Sequence, residues 1–362
     1  MTTLSLATKR AENYPEKQGE WYCGFSYTPL IGLGYEPGVH RRDASSIIRV
    51  DGLYYVYYTR SVGPHFGRGV GDGTEHKIFP WDYADIYFAT SADGMVWEEQ
   101  GPAVARGEPG SFDARTVCTP DVLEHAGKYY LVYQTQSDKE PYASGRSERV
   151  GLAISDSPRG PWRKIETPIL TRMDDGEWFG KSDNYNSGLF GGITHDPSLF
   201  FYQGQWWLYY KCGSTKEMQG GKHKFAGPDT RWGVAMSDKP EGPYTHSEFN
   251  PITNSGHETM LWHYKGGIAA LLNRDGPESD TIQWAPDGIN FSIMAHVHST
   301  PQAAGAYRPA SSDGHPLDGI RWGMCHLNQQ GSQWNYMVRF DVDPRHSHSI
   351  AMGYAKSTIG EI

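Results

Sequence analysis

The chain is short of cysteine, long apolar runs and clustered positive charge, and each shortage removes a class of protein. Its four cysteines, Cys23, Cys118, Cys212 and Cys325, are scattered without Cys-x-x-Cys spacing. Free buried thiols are therefore expected, rather than disulfides or a zinc site. No stretch approaches the apolar length of a membrane span, so no membrane partner is expected. The first residues lack the basic-then-apolar pattern of a signal peptide. That points to the cytoplasm, or to the periplasm for a chain trimmed at its start. A net charge of −9 without a basic stripe disfavours nucleic acid as a partner. Long helical periodicity is missing beyond the N-terminus, and no Ser/Pro-rich linker or charge block divides the rest. One domain over residues 21–362 is the simplest organisation.

What the chain does have is aromatic residues and glycine: 23 Tyr, 12 Trp, 13 Phe and 43 Gly. Four times an acidic residue opens a short apolar strand, a glycine turn follows, and an aromatic or apolar strand runs back. The units open at Asp43, Asp121, Asp196 and Glu258, turn at Gly52, Gly127, Gly204 and Gly266, and return as Leu53–Tyr58, Tyr129–Tyr133, Trp206–Tyr210 and Ile268–Leu272. Second halves recur too, since Val150–Trp162 and Trp232–Tyr244 share a strand, a Ser-Asp-x-Pro-x-Gly-Pro turn and a following aromatic. Ile86–Trp97 and Thr281–Phe291 are looser copies. Such turns between aromatic and β-branched runs give about four strands per unit. A fainter fifth unit spans Tyr307-Arg308-Pro309, Gly319–Met324 and Trp334–Phe340. The pattern predicts an all-β, five-bladed β-propeller, or six blades if the closing segment is misread. The Ser-Asp turns are expected to be structural.

Residues 1–20 stand apart. Ser5–Glu12 can form a short N-terminal helix capped by Ser5 and stopped at Tyr14-Pro15. A helix that short is not stable alone, so it is either a frayed tail or docks on its own or a partner subunit. In a propeller the four acids would sit at equivalent ends of innermost strands and converge at the axis. A carboxylate ring there suits acid/base chemistry or a metal.

Several segments together resemble glycoside hydrolase family 117: Ser5-x-Ala7-x-x-Arg10, Arg41-Arg42-Asp43, Phe79-Pro80-Trp81-Asp82, Thr119-Pro120-Asp121, His195-Asp196-Pro197 and the long string Asn250–Glu258. The resemblance covers nearly the whole length. It implies a five-bladed propeller that removes 3,6-anhydro-L-galactose from the non-reducing end of neoagaro-oligosaccharides, cleaving an α-1,3 bond with inversion. It also implies a homodimer exchanging the N-terminal helical segment. No cofactor is required for the chemistry, but a divalent cation (zinc, magnesium or calcium) is expected near the acids, held through water close to Asp43, Asp196 and Glu258.

Inversion needs an acid for the leaving oxygen and a base for water on the opposite face. Asp43 follows two arginines, and a carboxylate beside fixed positive charge stays ionised, as a base must; the resemblance gives it that role. The resemblance makes His257 the general acid, with Asp196 and Glu258 supplying a negative field, orienting hydroxyls or holding the cation. Adjacent strand residues face opposite ways, so His257 and Glu258 can both serve the site only if the Ser255-Gly256 approach twists or His257 precedes the strand. Arg42, Trp81, Asp121, His195 and Asn254 complete the expected substrate contacts. For Trp81 the choice lies between a sugar-stacking platform and a loop anchor. His195 is either a contact or a structural histidine, and any one of the acids could instead cap a turn.

Tyr87-Phe88 and a shorter, glycine-rich loop over residues 174–194 depart from the agar-acting members and are expected to reshape the pocket. Two other readings stay open. Arabinan- and fructan-acting five-bladed propellers use three carboxylates, which Asp43, Asp196 and Glu258 could supply; a non-catalytic carbohydrate-binding propeller would bind without turnover.

Overall fold

The computed structural model describes residues 21–67, 76–139, 148–171, 189–190, 194–218, 222–276, 278–309 and 314–343. The expected N-terminal helix and nearly all of the 174–194 loop lie outside the described residues. Five antiparallel sheets form five blades. Blade 1 runs outward from Val39–Ala44 and Ile48–Val50 through Leu53–Val62 and Asp85–Ser91 to Glu98–Val104. Blade 2 comprises Thr116–His125, Lys128–Gln136 and Glu148–Ser155, with short outer pieces Arg163–Lys164 and Leu170–Thr171. Blade 3 comprises His195–Tyr202, Gln205–Met218, Lys222–Ser237 and Thr245–His246, with Leu189–Phe190 pairing the far end of its second strand. Blade 4 comprises Leu261–Tyr264, Gly267–Leu272, Thr281–Ala285 and Ser292–His296. The chain is a five-bladed β-propeller.

The glycine turns of the repeats join first and second strands. Asp51-Gly52, Ala126-Gly127, Gln203-Gly204 and Lys265-Gly266 all have both residues at positive φ. That is the two-residue turn whose twist matches an antiparallel hairpin. The aromatic return strands lack polar alternation because both their faces are buried between blades. In blade 1, Tyr55 and Tyr57 pack toward blade 2, while Val56 and Tyr58 pack toward blade 5. In blade 3, Trp206, Leu208 and Tyr210 face blade 2, and Trp207 and Tyr209 face blade 4. Full burial of one large apolar side chain is worth about 1.5–3 kcal/mol, so a strand buried on both sides is a strong anchor for whatever its ends carry.

Blade 5 resolves the faint fifth unit and shows why it was faint. Its inner strand is only Gly305–Ala306, followed by Trp322–Asn328 and Asn335–Asp343, and its outermost strand is Gly24–Pro29 from the chain's other end. Gly24 pairs with Asp343 and Pro29 with Val338, which closes the ring. Trp21, Tyr22, Cys23 and Phe25 then join the core between blades 4 and 5. All four cysteines are free and buried. The Ser-Asp turns are structural, with Ser155 Oγ accepting from Ser157 N and Ser237 Oγ from Lys239 N. Among the described residues no helix is long and apolar enough to cross a membrane.

Candidate active site

All five inner strands border one axial pocket enclosing about 430 Å³ of space, solvent at its mouth included. Asp43, Thr119, Asp121, Asp196, Glu258 and Arg308 are among its lining residues. The inner strands of blades 1, 2 and 3 each enter through a bulge, and the bulged residues Asp43, Thr119 and Asp196 have φ near +50°. This left-handed kink interrupts the ladder and re-aims one side chain.

The kink corrects the expected equivalence of the four acids. Asp43 and Asp196 occupy the left-handed position, but in blade 2 that position is Thr119, and Asp121 comes two residues later, level with Ser198. Asp121 is also saturated. Its Oδ1 accepts from Ser46 N at 3.0 Å, and its Oδ2 accepts from Ser198 Oγ at 2.7 Å and Arg308 Nη2 at 3.1 Å. It ties blades 1, 2, 3 and 5 together at the axis.

Asp43 is buried, with Oδ2 accepting from Arg42 Nε at 2.8 Å. Burial opposes its charge, but the Arg42 guanidinium, with His326 and Thr59 adding to it, outweighs that and holds the carboxyl below its ordinary range. Asp196 Oδ2 lies 2.5 Å from Lys211 Nζ, a buried ion pair by distance though not aligned as a hydrogen bond. Thr59 and Lys211 occupy corresponding places on their second strands, opposite Arg42 and His195. Each blade thus supplies its own partner for its kinked acid.

Blade 4 works differently, because its strand begins only at Leu261 and His257 and Glu258 precede it. Gly256, at φ +111°, turns the approach, and a Cβ there would meet Trp232 Nε1 at 2.7 Å. Glu258 lines the pocket, and His257, just outside that lining, brings its Nε2 to 3.6 Å from Glu258 Oε1. His257 Nδ1 is paired with Asp275 Oδ2. Asn273 Oδ1 accepts from the backbone N–H of both His257 and Glu258, and its Nδ2 donates to Glu258 Oε2 at 2.8 Å. Burial opposes the charge on Glu258, but His257, Lys211 and Asn273 together lower its pKa. Asp275 is lowered as well, burial being outweighed by its bond to His257. Arg274, Asp275 and Gly276 are three consecutive left-handed residues, and this turn carries Asp275 to His257.

The other expected contacts scatter. Trp81 is stacked on Phe79, centroids 4.6 Å apart, and the Arg42 guanidinium lies 4.5 Å from its ring centroid. Its loop is anchored by the neighbouring Asp82, which accepts two bonds from Arg115. His195 Nε2 lies 3.5 Å from Glu148 Oε1 of blade 2. Asn254 Nδ2 donates to Glu278 at 3.4 Å, away from the carboxylates. Tyr87 and Phe88 do not border the pocket: Phe88 packs between blades 1 and 2, and Tyr87 lies against the core between blades 5 and 1. In this chain the dipeptide serves packing between blades.

Lys211, Asn273, Asp275 and His326 were not anticipated. A lysine ending the buried run Trp206–Tyr210 and an Asp-Gly pair ending Ile268–Leu272 were the available signals. Among the described residues no three acidic, His or Cys side chains are grouped to ligate a metal. With Arg42 on Asp43, Lys211 on Asp196 and Asn273 on Glu258, direct ligation by these acids does not fit.

The pattern of "Glycosyl hydrolases family 43" matches residues 40–210. No curated protein matches the chain. Among solved structures the chain is similar to Zg3597, a family 117 glycoside hydrolase of the marine bacterium Zobellia galactanivorans, at 34% identity over 90% of this chain and 92% of that one, TM-score 0.71. A thermostable family-43 glycoside hydrolase (15% identity, 88% and 92% covered, TM-score 0.52) shares the fold. So does the family-43 enzyme from Xanthomonas citri complexed with xylotriose (14%, 86% and 89%, TM-score 0.53). At one-third identity across nine-tenths of both chains, on a propeller with acids at its axis, this protein belongs to glycoside hydrolase family 117 and is a glycosidase.

Proposed function

We propose that the protein is an exo-acting, inverting α-1,3-(3,6-anhydro)-L-galactosidase that releases 3,6-anhydro-L-galactose from neoagarobiose and neoagaro-oligosaccharides. The observation that carries the mechanism is the placement of His257 between Asp275 and Glu258. Asp43 and Glu258 are held below the ordinary carboxyl range and Asp196 is committed to Lys211, which leaves the imidazole as the site's proton donor. Asp43 takes a proton from water as the water oxygen bonds to the anomeric carbon. His257 Nε2 gives a proton to the glycosidic oxygen as its bond to that carbon breaks, and Asp275 holds Nδ1 so that Nε2 faces the substrate. The three-carboxylate scheme would need a proton from Asp196 or Glu258, and both are otherwise engaged.

The substrate rests on family membership and is tested by incubating the protein with neoagarobiose and a panel of aryl glycosides, followed by product chromatography and NMR of the newly formed anomer. Release of anhydrogalactose with inverted configuration is expected; turnover only of other glycosides would overturn the substrate. His257→Ala is expected to damage poor leaving groups far more than activated aryl ones and to flatten the alkaline limb of the rate profile. Equal losses across leaving groups would sink the histidine acid. As a second proposal, residues 1–20 hold a homodimer, so their deletion converts it to monomer or aggregate in light scattering; an unchanged dimer, or a monomeric full-length protein, would remove that role.

A further inference from the structure

His326, on the second strand of blade 5, is the member of the site that the proton transfers do not use. The kink at Asp43 turns that residue's backbone N–H away from its own sheet, and it donates to His326 Nδ1 at 3.3 Å. An imidazole nitrogen that accepts a proton is the bare one, so the ring's proton sits on Nε2. Burial and the nearby Arg42 keep the ring neutral, pushing its pKa down to about 4 against the opposing pull of Asp43 and Glu258. Nε2 has no hydrogen-bond partner among the described residues, nor is it among the buried polar atoms left unpaired. His326 is therefore a neutral, half-buried donor beside the pocket-lining Asp43, with its Nδ1 3.7 Å from Asp43 Oδ1, and within electrostatic reach of Glu258 on blade 4.

The rest of the site is poor in such donors. Ionised carboxylates only accept, the cations Arg42 and Lys211 are spent on Asp43 and Asp196, and Arg308, which lines the pocket, gives Nη2 to Asp121 and Ser198. A glycosidically linked 3,6-anhydro sugar carries two ether oxygens, one in the pyranose ring and one in the 3,6 bridge, and an ether oxygen only accepts. A carboxylate ring can hold its hydroxyls but not its ethers.

We propose that His326 is a substrate-binding residue whose Nε2–H donates to an ether oxygen of the anhydro sugar held between Asp43 and Glu258. This rests on the anhydrogalactosidase reading. The bond from Asp43 N–H sets the tautomer, so the base's own backbone prepares the donor. Arg274, exposed and without an ion pair among the described residues, and Arg308, which lines the pocket with its Nε unpaired, are the rival donors.

The test is calorimetric binding of neoagarobiose to Asp43→Asn protein, alone and combined with His326→Leu, His326→Gln or Arg274→Ala, alongside pH–rate profiles of the single His326 variants. His326→Leu is expected to weaken binding about tenfold, the worth of one neutral hydrogen bond lost in a dry site. His326→Gln, which keeps a donor, is expected to recover most of that, and the acid limb of the profile is expected to stay in place. Unweakened binding in His326→Leu with a displaced acid limb would overturn the proposal and make His326 a positioning residue for Asp43. Equal weakening by Leu and Gln, or a tenfold loss in Arg274→Ala with none in His326→Leu, would also overturn it. Wild-type protein that neither binds nor hydrolyses neoagarobiose would overturn the substrate itself and this assignment with it. Intact hydrolysis with unaffected His326→Leu binding would overturn this assignment alone.

Discussion

Two levels of the axial pocket use the same kinds of side chain to opposite ends. At the level of Asp43 and Asp196, each carboxylate has one cation, Arg42 or Lys211, and borders the pocket. Two residues further along the strands, Asp121 takes bonds from Ser46, Ser198 and Arg308, the last also lying over the Phe200 ring. The first level leaves Asp43 bordering the pocket with a single cation, whereas the second is spent on holding blades together. What separates them is whether a strand's acid falls on the kink or beyond it.

Substitutions can break that contrast, and the largest effect belongs to the first level. Asp43→Asn keeps the shape but cannot take a proton from water, so kcat is expected to fall about a thousandfold or more while neoagarobiose still binds. Retention of more than about a tenth of the activity would remove Asp43 from the base role. At the second level, Asp121→Ala leaves the half-buried Arg308 and Ser198 without their acceptor and is expected to cost about 2 kcal/mol in denaturant unfolding. Its kcat, measured well below the unfolding transition, is expected to stay within severalfold of wild type; a thousandfold loss would put Asp121 in the chemistry.

Acid sensitivity gives a smaller effect. His40 is buried and His326 half-buried, and desolvation leads the forces that push them down to about 3 and about 4. A histidine whose folded pKa is depressed lends full stability above its unfolded value of about 6.5. That stability is lost as pH falls toward the folded value, because the unfolded chain takes the proton first. Each is expected to cost about 2 kcal/mol between pH 6.5 and 5, and His326→Gln to remove its share. Asp43, Glu258 and Asp275 are depressed carboxylates, so their contribution is lost only below the ordinary carboxyl range. Urea denaturation at pH 7 and pH 5 measures the difference; equal stability at both would show that the two rings protonate freely. The smallest expected effect is that of a chelator. With each acid already partnered, a cation held only through water is expected to be dispensable, so EDTA is expected to leave kcat unchanged within about twofold; abolition restored by one metal would overturn this.

By itself the sequence determined the repeat. Strands buried on both faces must be apolar throughout, and two-residue hairpins must carry residues tolerating positive φ, so Leu53–Tyr58 or Trp206–Tyr210 behind a glycine turn is legible without coordinates. It also marked Asp43 and Asp196, which fall on kinks of inner strands, and His257 and Glu258, which precede one. Only the tertiary structure decided which acid falls on a kink, because a one-residue bulge leaves no periodic trace and Asp121 reads like its neighbours. The partners were hidden for a related reason. Arg308 reaches Asp121 across 187 positions and His326 reaches Asp43 across 283, and the ring closes between Gly24–Pro29 and Asn335–Asp343. Local spacing encodes turns and strand faces, whereas contacts across the axis exist only once five blades have closed around it.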